Sequence, residues 1–274
     1  MEEARGNREV PPNYAELVII RKSASEVDQM AEAGQVVADV IALLAENMQP
    51  GVTTAELDAL AEEHIRSRGG VPTFKGYRGY PASICVSPNA MVVHGIPGEY
   101  TLGSGDVVSV DVGVTLGGFV ADSAWTFGVG EISPEAEQLL HACQAALEAG
   151  IEQARSGNRV GDISAAVQRS AEAAGYAVIR SLVGHGVGRS MHEEPQIPNY
   201  GEPGHGPRLE PGMTLAIEPM ISAGSDEIYV HEDQWSISTS DDSLAAHFEH
   251  TVAVTGDRPR ILTAPAEVSA GLLP

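Results

Sequence analysis

The feature that most restricts the fold of this chain is a set of acidic residues placed inside otherwise apolar runs. In the first half, Asp111 follows V-V-S-V and Asp122 follows F-V-A; in the second half, Glu218 follows T-L-A-I and Glu249 follows A-A-H-F. Short apolar runs of this kind predict buried strands. A buried, ionised carboxylate costs several kcal/mol unless a partner compensates its charge. The fold must therefore supply either one arginine or backbone N–H group for each acid, or one shared partner for all four.

The two halves of the chain also resemble each other in sequence. A shift of 107 residues superposes L-G-S-G-D-V-V-S-V-D on L-E-P-G-M-T-L-A-I-E, which pairs Asp111 with Glu218, and a looser match pairs Asp122 with Glu249. Few basic residues accompany these acids in the same strands. Two related halves packed about a pseudo-twofold axis would bring all four acids to the centre of one sheet.

Local signals predict the same order of elements, helix, helix and then strands, in each half. Ser23 with Glu26 and Thr53 with Glu56 form capping boxes, and Ser133 precedes a proline at the start of another helical pattern. The predicted helices follow Ser23, Thr53 and Ser133, with a fourth over 162–174, and the predicted strands are 82–87, 106–115, 118–127, 177–183, 213–222, 227–231 and 248–255.

Four acids that meet at one point repel one another, and two divalent cations would balance their charge. Carboxylate oxygen together with imidazole nitrogen suits Mn, Fe, Co or Zn. His185, in G-H-G-V-G, can supply the imidazole, and its flanking glycines would let the backbone approach closely and adopt positive φ. A histidine satisfied within the core is one rival interpretation. A dinucleotide-binding loop is another, but the G-x-G-x-x-G spacing is missing.

Bulk composition narrows the class of protein. A formal net charge of −22 over 274 residues disfavours DNA or RNA as the main ligand. The N-terminal residues are polar and no run of 18 apolar residues occurs, so neither a secretory signal nor a membrane span is predicted. Cys85 and Cys143 do not form a C-x-x-C spacing, which argues against a disulfide framework. These features predict a cytoplasmic protein.

Several separated motifs, in this order, resemble those of type I methionine aminopeptidases. The resemblance extends from about residue 16 to 262. The motifs are G-Y-R-G-Y-P-A-S-I-C, V-H-G-I-P, V-D-V-G, A-D-S-A-W-T-F, G-H-G-V-G-R-S-M-H-E-E-P, I-E-P and F-E-H-T.

This resemblance implies an α/β (α+β) chain with the pita-bread fold, a curved antiparallel sheet with pseudo-twofold symmetry covered by two pairs of helices. It implies a single catalytic domain over 13–262, with repeats at about 24–127 and 133–255. Residues 1–12 are predicted to form a flexible N-terminal tail and 263–274 a C-terminal tail. The implied activity is removal of the initiator methionine from nascent proteins and peptides, preferably before a small second residue.

The resemblance also implies roles for the acids and histidines. Asp111 would hold one metal ion through both oxygens, Asp122 and Glu249 would bridge two ions, and His185 and Glu218 would complete the second ion. Two metal ions about 3.5–4 Å apart can acidify a shared water, and the resulting hydroxide would attack the peptide carbonyl.

Further positions are implied to contact the substrate. His94 and His192 would line the cleft and act on the scissile amide, and Glu218 is the candidate for moving a proton. An aromatic and sulfur-containing pocket suits the methionine side chain, although the same residues could simply be core. The implied pocket residues are Phe74, Tyr77, Tyr80, Cys85, Met191 and Trp235.

Some positions depart from the family pattern or fall outside the predicted site. Arg78 stands where many relatives have His, so the pocket mouth differs in charge. The acidic segment 224–233 weakens the case for a transient ribosome contact. His247 and His250, which flank Glu249, are predicted to lie behind the ligands or at the surface.

The expected partners are peptide and nascent-chain N-termini, with no DNA and no membrane, and the chain is expected to be a monomer. Two rival functions remain open at this point. One is a proline-directed aminopeptidase of the same fold, and the other is a non-catalytic binding module.

Overall fold

A computed structural model describes residues 18–264 as two halves with the same order of elements. The helices are α1 (Ala24–Asn47), α2 (Thr54–Ser67), α3 (Pro134–Gln153) and α4 (Val160–Ala173). The strands are β1 (Val71–Pro72), β2 (Cys85–Pro88), β3 (Met91–Val93), β4 (Val107–Leu116), β5 (Phe119–Gly128), β6 (Ala177–Val178), β7 (Val183–Gly186), β8 (Glu193–Pro198), β9 (Thr214–Ile217), β10 (Met220–Ser222), β11 (Ile228–Val230), β12 (Ile237–Thr239), β13 (Ala245–His247), β14 (His250–Ala253) and β15 (Arg260–Ile261). The tail predicted over 1–12 lies outside the described residues, as do residues 265–274.

The helices of the first half begin at the predicted capping boxes. The Ser23 side chain accepts the N–H of Glu26 while the Glu26 carboxylate accepts the N–H of Ser23, and Thr53 and Glu56 form the same pair. Such a cap stabilises a helix by about 1 kcal/mol. No helix within 18–264 combines the length and apolar character needed to cross a membrane.

A hairpin of two ten-residue strands forms the centre of the first half. β4 and β5 pair along their whole length and are joined by Gly117 and Gly118, whose φ angles are 59° and 82°. Positive φ at both turn positions favours glycine because it has no Cβ to clash. β1 and β2 pair with the other edge of β4, and α1 lies across the hairpin.

The second half keeps the paired central strands but separates them in sequence. β9 pairs with β14 on one edge and with β7 on the other. Pro219 divides the strand predicted over 213–222 into β9 and β10, because proline cannot donate to a strand ladder. Between β10 and β13 the chain forms the β11–β12 hairpin, which pairs with β3 of the first half. The strand predicted over 177–183 is likewise divided, into β6 and β7.

Hydrogen bonds between β5 and the β13–β14 segment join the two halves. The N–H of Glu249 donates to the carbonyl of Ala124 at 2.8 Å, and the hydroxyl of Ser123 donates to the carbonyl of Glu249 at 2.5 Å. Trp125 packs against the apolar cores of both halves. The acids of the two halves therefore meet at the seam between them.

Candidate metal centre and cleft

The first half presents two carboxylates from one face of its central hairpin. Asp111 in β4 lies opposite Ala124, and Asp122 in β5 lies opposite Gly113. Alternate residues of a strand face the same side, and paired residues share a face. Asp111 and Asp122 therefore project together toward the second half.

The second half presents an imidazole and two more carboxylates to the same point. His185 in β7 lies opposite Ala216 in β9, and Glu218 follows two residues later on the same face. The Nε2 of His185 lies 3.5 Å from Oε1 of Glu218 and 4.0 Å from Oδ2 of Asp122. One ligand atom each from Asp122, His185 and Glu249 lies within 4.8 Å of the others.

The backbone around His185 fixes which ring nitrogen faces the acids. Its Nδ1 lies 2.9 Å from the carbonyl of Gly186, so Nδ1 carries the hydrogen and the lone pair of Nε2 points toward the carboxylates. A Cβ at Gly184 would lie 2.4 Å from the carbonyl oxygen of Ala216. Neither Gly184, Gly186 nor Gly188 has a positive φ, so that part of the prediction was wrong. Close approach of β7 to β9 and β8 requires Gly184 and Gly186, whereas at Gly188 the Lys22 side chain occupies the space that a Cβ would need.

The four acids are held in conditions that oppose their charge. Burial raises the pKa of Asp111 to about 7. Burial, followed by the charges of Glu249 and Asp111, raises the pKa of Asp122 well above its ordinary value. Burial together with neighbouring carboxylates does the same to the pKa values of Glu218 and Glu249.

Part of this cluster has no hydrogen-bond partner among the described residues. Oδ1 of Asp111, Oδ1 of Asp122 and Oε1 of Glu249 are buried and unpaired. Leaving such an atom unpaired costs about 1–3 kcal/mol, and more when it is charged. Carboxylate oxygens with one imidazole nitrogen fit Mn, Fe, Co or Zn, and a cation would compensate both the charge and the missing hydrogen bonds.

A cavity of about 210 Å³ opens beside the acids and is lined by every residue predicted for the metal site and the pocket. Arg78, predicted at the pocket mouth, also lines it. The sequence reasoning did not single out the remaining lining residues, because short apolar runs look the same whether they face a cavity or the core. They are Val93, Leu182, Val183 and Met220; His247, which was predicted to lie behind the ligands or at the surface, also lines the cavity.

Two histidines lie along the cleft. His192 is exposed; its Nδ1 lies 2.8 Å from the hydroxyl of Tyr77, and its ring centre lies 4.3 Å from that of His185. His94 has a left-handed backbone with φ of 59°, a conformation uncommon outside glycine. Burial, with a smaller contribution from His192, lowers the pKa of His94 to about 4, so its imidazole is neutral.

A buried ion pair fastens the loop that carries Met191 and His192. The ammonium of Lys22 lies 2.5 Å from Oε2 of Glu193, and both side chains are less than a tenth exposed. The other oxygen of Glu193 accepts the N–H groups of Arg189 and Ser190. The segment before α1 is thereby tied to the rim of the cleft.

Known proteins resemble this chain in sequence and in fold. The profile of metallopeptidase family M24 matches residues 28–256. The methionine aminopeptidase of Clostridium perfringens is 49% identical over 246 residues, which cover 90% of this chain and 99% of the relative. The crystal structure of methionine aminopeptidase from Thermotoga maritima superposes with a TM-score of 0.89 at 44% identity, covering 90% of this chain and 100% of that one. The match to prolidase from Pyrococcus furiosus, at 19% identity and a TM-score of 0.72, covers 90% of this chain and 66% of that one, and it shows a shared fold alone.

Proposed function

The chain belongs to metallopeptidase family M24 and removes N-terminal methionine, and we propose that the acids and the histidine at the seam hold its metal ions. The predicted family, pita-bread fold and activity are confirmed. The proposed ligands of two divalent ions are Asp111, Asp122, His185, Glu218 and Glu249. The observation that carries this proposal is the group of buried carboxylate oxygens with no hydrogen-bond partner.

Divalent cations at this point would supply Lewis acidity, which polarises a peptide carbonyl and lowers the pKa of water. The chain's part is to hold them in place. Asp111, Asp122 and Glu249 would hold them through carboxylate oxygens, and His185 with Glu218 would add one imidazole nitrogen and a further carboxylate. The identity of the ions, among Mn, Fe, Co and Zn, depends on supply as well as on affinity.

The methionine side chain is proposed to bind in the aromatic and sulfur-lined part of the cavity. The ring of Tyr80 lies edge-on to Trp235 at 5.1 Å and to Phe74 at 6.5 Å, which gives the pocket two rigid walls. Cys85 and Met191 line the same cavity and Tyr77 borders it. Thioether sulfur packs favourably on aromatic rings, by about 0.3–1.5 kcal/mol for each contact.

The histidines of the cleft are proposed to act on the scissile amide. We take the Tyr77 hydroxyl as the donor to Nδ1 of His192, 2.8 Å away, which places the ring hydrogen on Nε2, from which His192 can donate to the carbonyl oxygen. The neutral imidazole of His94 supplies a second donor. These donors would stabilise the negative charge that develops on that oxygen.

Glu218 is proposed to move the proton that the departing amine requires. Burial and the charges of Asp122 and Asp111 raise its pKa, which favours the protonated carboxyl group that a proton donor requires. Its Oε1 lies next to Nε2 of His185, at the base of the cavity.

The proposed preference for a small second residue is supported by the size of the cavity. Its volume of about 210 Å³ is below the roughly 300–1,000 Å³ of common ligand pockets, so little space remains beside the methionine side chain. The proposed substrates are peptide and nascent-chain N-termini, handled by a cytoplasmic monomer without DNA or membrane partners. A transient ribosome contact remains a secondary proposal, given the acidic segment 224–233.

Methionine release from Met-Ala-Ser by the metal-loaded protein tests the proposal. Norleucine-Ala-Ser should be cleaved, because the pocket reads shape and polarizability, and N-acetyl-Met-Ala-Ser should not. Asp122→Asn, which keeps volume but removes charge, should lose bound metal and activity together. Full activity in that variant, or faster cleavage of X-Pro peptides than of Met-Ala-Ser, would contradict the proposal.

A further inference from the structure

His247 is a buried imidazole, and one of its two ring nitrogens has no hydrogen-bond partner among the described residues. It is 2% exposed, it lines the cavity, and its Nε2 has no hydrogen bond among the described residues. That nitrogen lies 3.8 Å from Oε2 of Glu218 and 4.0 Å from Oε2 of Glu249. The corresponding separation between Nε2 of His185 and Oε1 of Glu218 is 3.5 Å.

Backbone hydrogen bonds show which residue of the first half His247 corresponds to. The N–H of Asp122 donates to Oγ1 of Thr251 at 2.9 Å, and the hydroxyl of Thr251 donates back to the carbonyl of Asp122 at 2.8 Å. The N–H of His247 donates to Oγ1 of Thr126 at 2.9 Å, and the hydroxyl of Thr126 donates back to the carbonyl of His247 at 2.8 Å. The pseudo-twofold axis between the halves relates these two pairs, so that Asp122 corresponds to His247 and Thr251 corresponds to Thr126.

Strand register leads to the same correspondence. Asp122 lies opposite Gly113, and His247 lies opposite Met220. The shift of 107 residues that places Asp111 on Glu218 also places Gly113 on Met220. His247, rather than Glu249, therefore occupies the position that Asp122 has in the first half.

We infer that His247 is an additional metal-binding side chain, which offers Nε2 to the ion beside Glu218 and Glu249. The inference rests on the proposed function, because it takes the same cluster to be the metal centre. It gives the second half two imidazoles where the first half has carboxylates alone. Added nitrogen donors favour Zn and Co over Mn, so the affinity of the centre should be biased toward the former ions.

His247→Gln tests the inference, with His250→Gln as the matched control. His250 is also buried and adjoins Glu249, but its Nδ1 lies 2.7 Å from Oγ1 of Thr263, so it has a partner of its own. X-ray absorption of the protein loaded with two zinc ions counts the imidazoles per ion. We expect about one in the parent and in His250→Gln, and about one half in His247→Gln.

Metal titration provides a second readout. His247→Gln should weaken Zn²⁺ binding by about tenfold or more, and Mn²⁺ binding by less. About one half imidazole per zinc ion in the parent, or an unchanged count in His247→Gln, would overturn the inference.

The two proposals fail in different ways. If the parent binds no divalent ion, or binds it as tightly after Asp122→Asn, the metal centre itself is wrong. If Asp122→Asn abolishes binding while His247→Gln changes neither the imidazole count nor the affinity, only the inference about His247 is wrong.

Discussion

The two halves of the molecule have the same order of elements around one seam, but they differ in how their central strands are connected and in which side chains they place at the seam. The first half joins its central strands by two glycines and contributes only acids to the proposed ligand cluster. The second half separates β9 from β14 by a long excursion that carries Trp235 and His247, and its proposed ligands include His185 in β7. The short connection holds Asp111 and Asp122 on one hairpin, while the long one adds cleft wall and brings His247 to the cavity.

The largest effect should come from removing an acid of the first half. Asp122→Asn should lower kcat/KM for Met-Ala-Ser by about 10³-fold, because the centre loses a charge that no other residue of that half can replace. Glu232→Gln, at an exposed acid, should leave activity unchanged. More than a tenth of parental activity in Asp122→Asn would mean that the halves are not both required.

Metal removal should expose the mutual repulsion of the acids. Since burial raises the folded-state pKa of Asp111 to about 7, its contribution to apo-protein stability is complete below the unfolded pKa near 4 and is lost as pH rises through 7. The midpoint temperature of thermal unfolding of the chelated protein should therefore decrease as the pH is raised from 5 to 8. Metal at 100 times its Kd should restore about 2.7 kcal/mol. A flat pH profile of the chelated protein would contradict this expectation.

Thr126 and Thr251, which the pseudo-twofold axis relates, allow the two halves to be compared directly. Thr126→Val and Thr251→Val each leave one buried N–H and one carbonyl group without their hydroxyl partner, so each should cost about 1–3 kcal/mol in urea unfolding. Both variants should also bind metal more weakly. If only Thr251→Val weakens metal binding, then the correspondence between Asp122 and His247 has no role in the centre.

The smallest effect should come from a contact across the cleft. Tyr77→Phe removes the hydroxyl that orients His192, and kcat should fall by about tenfold or less with little change in metal affinity. Tyr229→Phe, at a tyrosine that is 44% exposed, is the control. An unchanged kcat in Tyr77→Phe would show that this hydrogen bond does not hold the catalytic tautomer.

Much of the fold follows from local signals in the sequence. The capping boxes at Ser23 and Thr53 mark helix starts because their side chains satisfy N–H groups that no helix can satisfy internally. The runs over β4 and β5 are long and mostly apolar, so their strand character is clear. The acids were identified because ionised groups in buried strands require an explanation.

The sequence alone could not locate His247. Sequence similarity makes Glu249 the equivalent of Asp122. Strand register instead makes His247, two residues earlier, its equivalent, because Asp122 lies opposite Gly113 and His247 lies opposite Met220. The difference arises because hydroxyl bridges between β5 and β13–β14 fix the alignment of the halves, and such bridges link residues more than a hundred positions apart. The prediction that His247 lies behind the ligands or at the surface does not anticipate its buried, unpaired nitrogen.

The pairing of Lys22 with Glu193 has a practical consequence for labelling. The chain contains two lysines, and both form ion pairs, but the side chain of Lys22 is buried with Glu193 while that of Lys75, paired with Glu62, is 43% exposed. Amine-directed fluorophores should therefore couple to Lys75 in preference to Lys22. Lys75 directly follows Phe74, which lines the cavity, so a dye on Lys75 would be attached one residue from the proposed methionine pocket.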